Sequence, residues 1–291
     1  MLWQAKQSFA HKVLAKLYQI QPKLLASDND SAWTNLGLWQ SDCENQQQHL
    51  PKSYVQAAQQ LAQQMGQALN LTVHDDVLDV GCGYGASVAL WQQNFGVQHI
   101  AALELQPSCC QLLNQKKRAY LQDIFQQSIF DAKPEGYQGV YDVVVSIDAA
   151  YHYHLSDYLN ALDAWLAEEG RIGFHLLIKS DQWDLASSTQ QQQIAKKLKW
   201  AKVPMEQVLE SAEVVEILTN KGYEQIQIED LTAQVLQGFA DYIENKTWST
   251  QEKLSTGFLK IYLTANLCRQ LAASGCIHYV QVTAKKIQHK N

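Results

Sequence analysis

Asp79, Gly81 and Gly83 lie close together in the run VLDVGCGYGAS at residues 77–87, and Glu104 ends the next apolar run, IAALELQ at 100–106. Glycines between a strand and a helix permit a tight turn and let backbone N–H groups approach a ligand at the helix start. The pattern Gly81-x-Gly83-x-x-Ala86 also satisfies the dinucleotide fingerprint. Asp79 decides which ligand fits. Two like charges ~4 Å apart repel by about 4 kcal/mol at an effective dielectric of 20, so a pyrophosphate is disfavoured there while an ammonium finds a partner. Glu104 follows at roughly the 20-residue spacing at which a carboxylate accepts both hydroxyls of a ribose. The predicted cofactor carries an ammonium and a ribose and needs no phosphate.

A second cluster lies in SIDAAYHYHL at 146–155, where a strand delivers Asp148, Tyr151, His152 and His154 to one sheet edge. Ligands of α/β sheets bind at the carboxyl ends of the strands, and a histidine near pKa 6.5 suits proton transfer at neutral pH. His152 is therefore a candidate general base, with a purely structural hydrogen-bonding role as the alternative. Asp148 is placed to orient His152, to contact an acceptor, or simply to cap the edge. Two histidines at i and i+2 without a third ligand argue against a metal. Cys82 fills space in the loop, since nothing near it would activate a thiolate. Trp33, Trp39, Tyr151, Tyr153, Trp183, Phe239 and Trp248 either pack the core or line an apolar acceptor pocket, where cation–π contact would favour a cationic cofactor.

The elements that position these residues follow from the apolar rhythm. Residues 2–20 place apolar side chains at near-helical spacing ahead of Pro22, and a second helix follows Pro51. From 77 onward short β-branched runs alternate with helical periods: strands at 77–81, 99–104, near 122–130, 141–147 and 171–178, with helices at 85–95, from Pro107, and at 156–168 ended by Gly170. This alternation marks βαβ units in a parallel sheet. Strands at 224–231 and 276–286 complete the sheet. The helical stretch 232–274 between them is far longer than a hairpin needs, and it is expected to form a cap together with 181–203.

With 291 residues, 46% of them hydrophobic, the chain can bury a full core, and a single domain spanning 1–291 with cap elements at about 1–50, 181–203 and 232–274 is expected. A net charge of -6 without a long basic run makes nucleic acid a poor partner. No run reaches the roughly 18 apolar residues of a membrane span, and the charged N-terminal segment does not read as a secretory signal. Six scattered cysteines without CxxC spacing read as reduced thiols in a cytoplasm. Oligomeric state is left open.

The run 77–87, Glu104, and the strand pair at the end of the chain resemble the class I S-adenosylmethionine (SAM)-dependent methyltransferases, and SAM carries the predicted ammonium and ribose. The likeness extends to a small-molecule and lipid-directed branch that includes tocopherol, sterol and cyclopropane-fatty-acid-type enzymes. It implies a Rossmann-like three-layer α/β sandwich, a mostly parallel seven-stranded sheet with an antiparallel last strand, and a helical cap over a small or lipid-like, partly apolar acceptor. It further implies that Asp79, Gly81, Cys82, Gly83, Glu104, Leu105 and Ile147 hold SAM, and that the NLGLW segment at 35–39 covers it through Trp39. An adenine-contacting acid after the third strand is assigned to Asp131, with Ile129 as the alternative. Methyl transfer with His152 as base, assisted by Asp148 and Tyr151, is the expected activity. The rivals are a nicotinamide-dependent oxidoreductase and a non-catalytic SAM-binding module; cyclopropanation of an unsaturated lipid is a variant of the first reading.

Overall fold

A computed structural model describes residues 22–25, 33–39, 53–116 and 118–288. The predicted helix 2–20, Pro51, Cys43 and most of the expected 1–50 cap element fall outside those residues. Helix α1 (Tyr54–Ala68) starts where the Ser53 hydroxyl accepts the Gln56 N–H at 3.3 Å, satisfying a donor that a first turn leaves open. Tyr54, Ala57, Leu61 and Met65 recur at helical spacing and bury one face. Strand β1 (Asp76–Val80) then passes through the glycine loop into α2 (Ala86–Phe95), which stops on a left-handed Gly96. After β2 (His99–Leu103) comes α3 (Pro107–Gln115), opened by a proline whose missing N–H costs nothing at that position.

The edge strand β3 (Leu121–Phe125) is shorter than the predicted 122–130, because the chain turns at 128–131, where Asp131 accepts the Ser128 N–H. Strand β4 (Tyr141–Ser146) follows, then α4 (Leu155–Asp163) and the long β5 (Leu166–Lys179). The expected helix to 168 therefore ends early. Trp165 is wholly buried and its carbonyl accepts the Val140 and Tyr141 N–H groups, which commits the chain to the sheet ahead of Gly170. Beyond β5 lie α5 (Ser188–Trp200), α6 (Ser211–Asn220) and β6 (Tyr223–Asp230). A π-helical turn at Ala233–Gln237, α7 (Gly238–Asn245) and α8 (Thr256–Ser274) fill the predicted cap stretch before β7 (Ile277–Lys286).

The strand order is β3-β2-β1-β4-β5-β7-β6, with β7 antiparallel to both neighbours and the first five strands parallel. The expected fold class holds. Val143 and Val145 point into one core with α1, α2 and the cap, and Val144 into the other with α4 and α6. Such two-sided burial is what makes parallel strands continuously apolar. Strand order reverses between β1 and β4, so the crevice beyond their carboxyl ends is the topological place for a ligand. No helix among the described residues is long and apolar enough to cross a membrane. Cys82, Cys109, Cys110, Cys268 and Cys276 are free thiols, all buried.

Candidate active site

Gly81, Gly83 and Gly85 all adopt positive φ, at +74°, +55° and +81°, so side chains would be strained at three places in five residues. At Gly85 a Cβ would also stand 2.3 Å from the Leu113 side chain, which makes this glycine the contact that lets α2 close on α3. The Gly81 N–H donates to the Leu103 carbonyl at 2.7 Å and ties the loop to β2.

Asp79 is 1% exposed at the end of β1. Its Oδ2 accepts the indole N–H of Trp91 at 2.7 Å, while Oδ1 has no hydrogen-bond partner among the described residues. Burial raises its pKa to about 6; the Ser87 and Trp91 donors offset part of that, and the nearby charge of Glu104 adds to it. A buried acceptor without a donor is costly. Asp79 lines a small cavity with Trp33, Asn35, Gly81, Ser87 and Ile147, and a cationic group in that cavity would satisfy the orphaned oxygen. The residues thus fit the ammonium end of SAM and disfavour a pyrophosphate.

Glu104 is 6% exposed, with Oε2 accepting the Gly83 N–H at 2.9 Å and Oε1 the Gln106 N–H at 2.7 Å. It braces the glycine loop, a role the sequence reading omitted. Each oxygen keeps a further lone pair for a ribose hydroxyl. Beside it Leu105 is 63% exposed and Tyr84 36%, apolar surface left open at the end of β2. The Cys82 thiol is pushed well up by burial and by the charges of Asp79 and Glu104, which fits a space-filling role.

Asp131 is not brought to this cavity. It is exposed and bonded into its own turn, and Ile129 is buried in the opposite core with Leu78 and Val80. The segment 33–39 does reach the loop, since a Cβ on Gly83 would sit 3.5 Å from Thr34 Oγ1. Its contacts are Trp33, Thr34 and Asn35 rather than Trp39. Gly37, at φ +79°, presses against Ala57 of α1, and the Tyr54 hydroxyl lies within hydrogen-bond reach of the Trp33 and Asn35 carbonyls. Beyond this bend Trp39 turns to the cap: it stacks on Tyr242 at 4.2 Å, packs on Gly238 and donates its N–H to the Leu36 carbonyl. Asn35 carried no sequence signal, because its role depends on a contact with α1 made by the Ala58 carbonyl.

His152 ends a single 3-10 turn, Ala150–His152, at the edge of β4. It is exposed, its ring meets Tyr151 edge-on at 4.6 Å, and Nδ1 lies 3.3 Å from the Lys202 carbonyl. A carbonyl only accepts, so in this contact Nδ1 carries the proton. Asp148 does not orient His152. Its carboxylate accepts the Leu36 N–H at 2.7 Å and the Tyr279 hydroxyl, and its own N–H meets Nδ1 of His175 at 3.3 Å. Burial raises Asp148 to about 6 and lowers the wholly buried His175 to about 3, so that histidine is neutral. Tyr151 is half-buried within reach of the Asp148 charge. Among the described residues no group of three or more His, Cys, Asp or Glu side chains could hold a metal.

The family model described as mycolic acid cyclopropane synthetase matches residues 43–282. Erythromycin 3''-O-methyltransferase from Saccharopolyspora erythraea is 30% identical over 138 residues, a match covering 45% of this chain and 42% of that protein's length. Among solved structures, geranyl diphosphate C-methyltransferase from Streptomyces coelicolor A3(2), in complex with S-adenosyl-L-homocysteine, superposes with a TM-score of 0.63 at 15% identity over 87% of each chain. The cyclopropane synthase MmaA2 from Mycobacterium tuberculosis does so with a TM-score of 0.64 at 16% identity, over 81% of this chain and 86% of that one.

Proposed function

On the premise that the chain belongs to the mycolic acid cyclopropane synthetase family, within the class I SAM-dependent methyltransferases, we propose that it transfers a methyl group from SAM to a small, partly apolar acceptor at an oxygen, nitrogen or carbon atom. The observation that carries this reading is the buried Asp79 carboxylate lining the cavity beside the glycine loop, with one oxygen lacking a hydrogen-bond partner among the described residues. SAM, when bound, supplies an electrophilic methyl group on a sulfonium.

Asp79 holds the ammonium in this reading, and the backbone of Gly81, Cys82 and Gly83 admits the amino-acid end closely because no side chain intervenes. Glu104 accepts the ribose hydroxyls while it keeps its bond to Gly83. Leu105 and Tyr84 offer the adenine apolar surface at the strand end. Ile147, Trp33 and Asn35 close the cavity and exclude water, which strengthens the charge contact at Asp79. His152, poised by the Lys202 carbonyl, takes the proton lost by the acceptor's nucleophile, and Tyr151 fixes the ring from its edge. The cap segments 181–203 and 232–274 enclose the acceptor within one domain.

The acidic balance of the chain supports a small-molecule or lipid-like acceptor over nucleic acid, and five free cysteines among the described residues support a cytoplasmic setting. A second reading is favoured by the family match: the acceptor is an alkene, and the base takes its proton from the added carbon as a three-membered ring closes. The experiment is incubation with deuteromethyl-labelled SAM and a panel of hydroxylated, aminated and unsaturated acceptors, read by mass and by NMR. A retained CD3 group supports simple transfer, a ring CD2 supports cyclopropanation, and SAM binding without any turnover supports a non-catalytic module.

A further inference from the structure

Asp148 lies where β4 gives way to the 3-10 turn, at φ +57°, a left-handed conformation uncommon for a residue with a side chain. Such strain persists where the surroundings hold it. Here one residue joins four parts of the chain: its carboxylate accepts from Leu36 in the 33–39 segment and from Tyr279 on β7, and its N–H meets His175 on β5. The segment's other described ties run to α1 and to Gln234 in the cap. Among the described residues the Leu36–Asp148 bond is the hydrogen bond that fastens it to the sheet. That segment brings Trp33, Thr34 and Asn35 to the cavity of Asp79 and Gly81.

We propose that Asp148 is a positioning residue that latches the 33–39 segment across the cofactor cavity and so governs cofactor release, not proton transfer. The titratable groups acting on Asp148 or within reach of its charge are Tyr54 on α1, Tyr151, Cys268 on α8, Tyr279 and His175, and burial keeps all of them neutral. The carboxylate is therefore held by donors rather than by an ion pair. Hydrogen bonds to an ionised group are the strong ones, which suits a single latch on a short segment. The proposal rests on the reading that SAM occupies this cavity.

Two measurements separate the two ideas: hydrogen exchange over residues 33–39 in ligand-free protein, and stopped-flow dissociation of SAM. Asp148→Gly keeps the left-handed backbone without strain and removes the carboxylate. In that variant exchange at Leu36 is expected to rise about tenfold and SAM to leave about tenfold faster, with a much smaller loss of turnover at saturating SAM. Asp148→Asn retains one acceptor for Leu36 and should raise exchange about threefold; it decides the matter if the glycine variant does not fold. Unchanged exchange in the folded variant, or a large fall in turnover with exchange unchanged, overturns the latch. Absence of SAM binding in the wild-type protein overturns the cofactor reading instead, while exchange still reports on the latch.

Discussion

Between Asp76 and Glu104 the chain makes the proposed cofactor cradle from nearly contiguous backbone, whereas the segment that covers it and the proposed acceptor side gather Asn35, Asp148, His152, Lys202, Tyr242 and Tyr279 from well-separated stretches. The cradle needs three left-handed glycines and two acids at strand ends, and each requirement leaves a mark in the sequence. The covering segment needs only that residues from distant stretches meet. Its key contacts, Leu36 to Asp148 and Trp39 to Tyr242, span long stretches of chain and use residue types found in any core. The difference teaches that binding built from backbone geometry is written locally, while positioning built from tertiary contact is not.

The strongest way to break this comparison is Asp79→Asn. Leaving a ligand cation without its buried partner costs about 2–5 kcal/mol, so SAM affinity should drop about 100-fold or more by calorimetry. The same change should leave the fold as stable or more so at pH 7.5, because the native carboxylate is ionised against its burial. A loss of stability with unchanged affinity would make Asp79 a structural acid.

On the acceptor side His152→Ala should lower turnover about 100-fold, the lower end for general-base catalysis, with SAM affinity unchanged. Full turnover in this variant would remove the base and leave the fold and cofactor untouched.

Folding stability and SAM binding make opposite demands on the buried acids as pH changes. Asp79 and Asp148 each titrate at about 6 when folded, against about 3.9 in an unfolded chain. The folded protein therefore binds protons more tightly, and each acid adds stability as pH falls from above 6 to about 4, a gain lost again as pH rises through 6. If SAM binds the ionised Asp79 as proposed, its affinity should weaken about tenfold per pH unit below about 6 and level off above it. Melting and SAM titration across pH 5–8 should thus move in opposite directions, and Asp148→Asn assigns the two acids. The smallest effect is expected from Leu105→Ala, about threefold in SAM affinity, since Leu105 offers one exposed apolar face.

The sheet was legible because β1, β2 and β4 are apolar runs closed by glycine, proline or polar turns. The helix expected to 168 was misjudged because Trp165 is claimed by the core, and a buried tryptophan outweighs the local helical pattern of Glu168 and Glu169. Asp79 and Glu104 could be placed at the strand ends from the apolar runs alone, but the loop-bracing bond from Gly83 to Glu104 could not, since it depends on how the left-handed turn aims one N–H. Trp39 was placed over the cofactor on the strength of its segment. The bend at Gly37 instead brings Trp33, Thr34 and Asn35 to the Asp79 cavity and sends Trp39 to the cap. Asp131 failed for a similar reason, because its short side chain closes its own turn.

The central claim is that the Asp79 cavity takes the ammonium of SAM. Calorimetric titration of the wild-type protein and of Asp79→Asn, with SAM and separately with NADH, tests it most directly. Micromolar SAM binding that disappears in Asp79→Asn, with no response to NADH in either protein, is the predicted result. Tight NADH binding, or SAM affinity that survives the loss of the carboxylate charge, would contradict it.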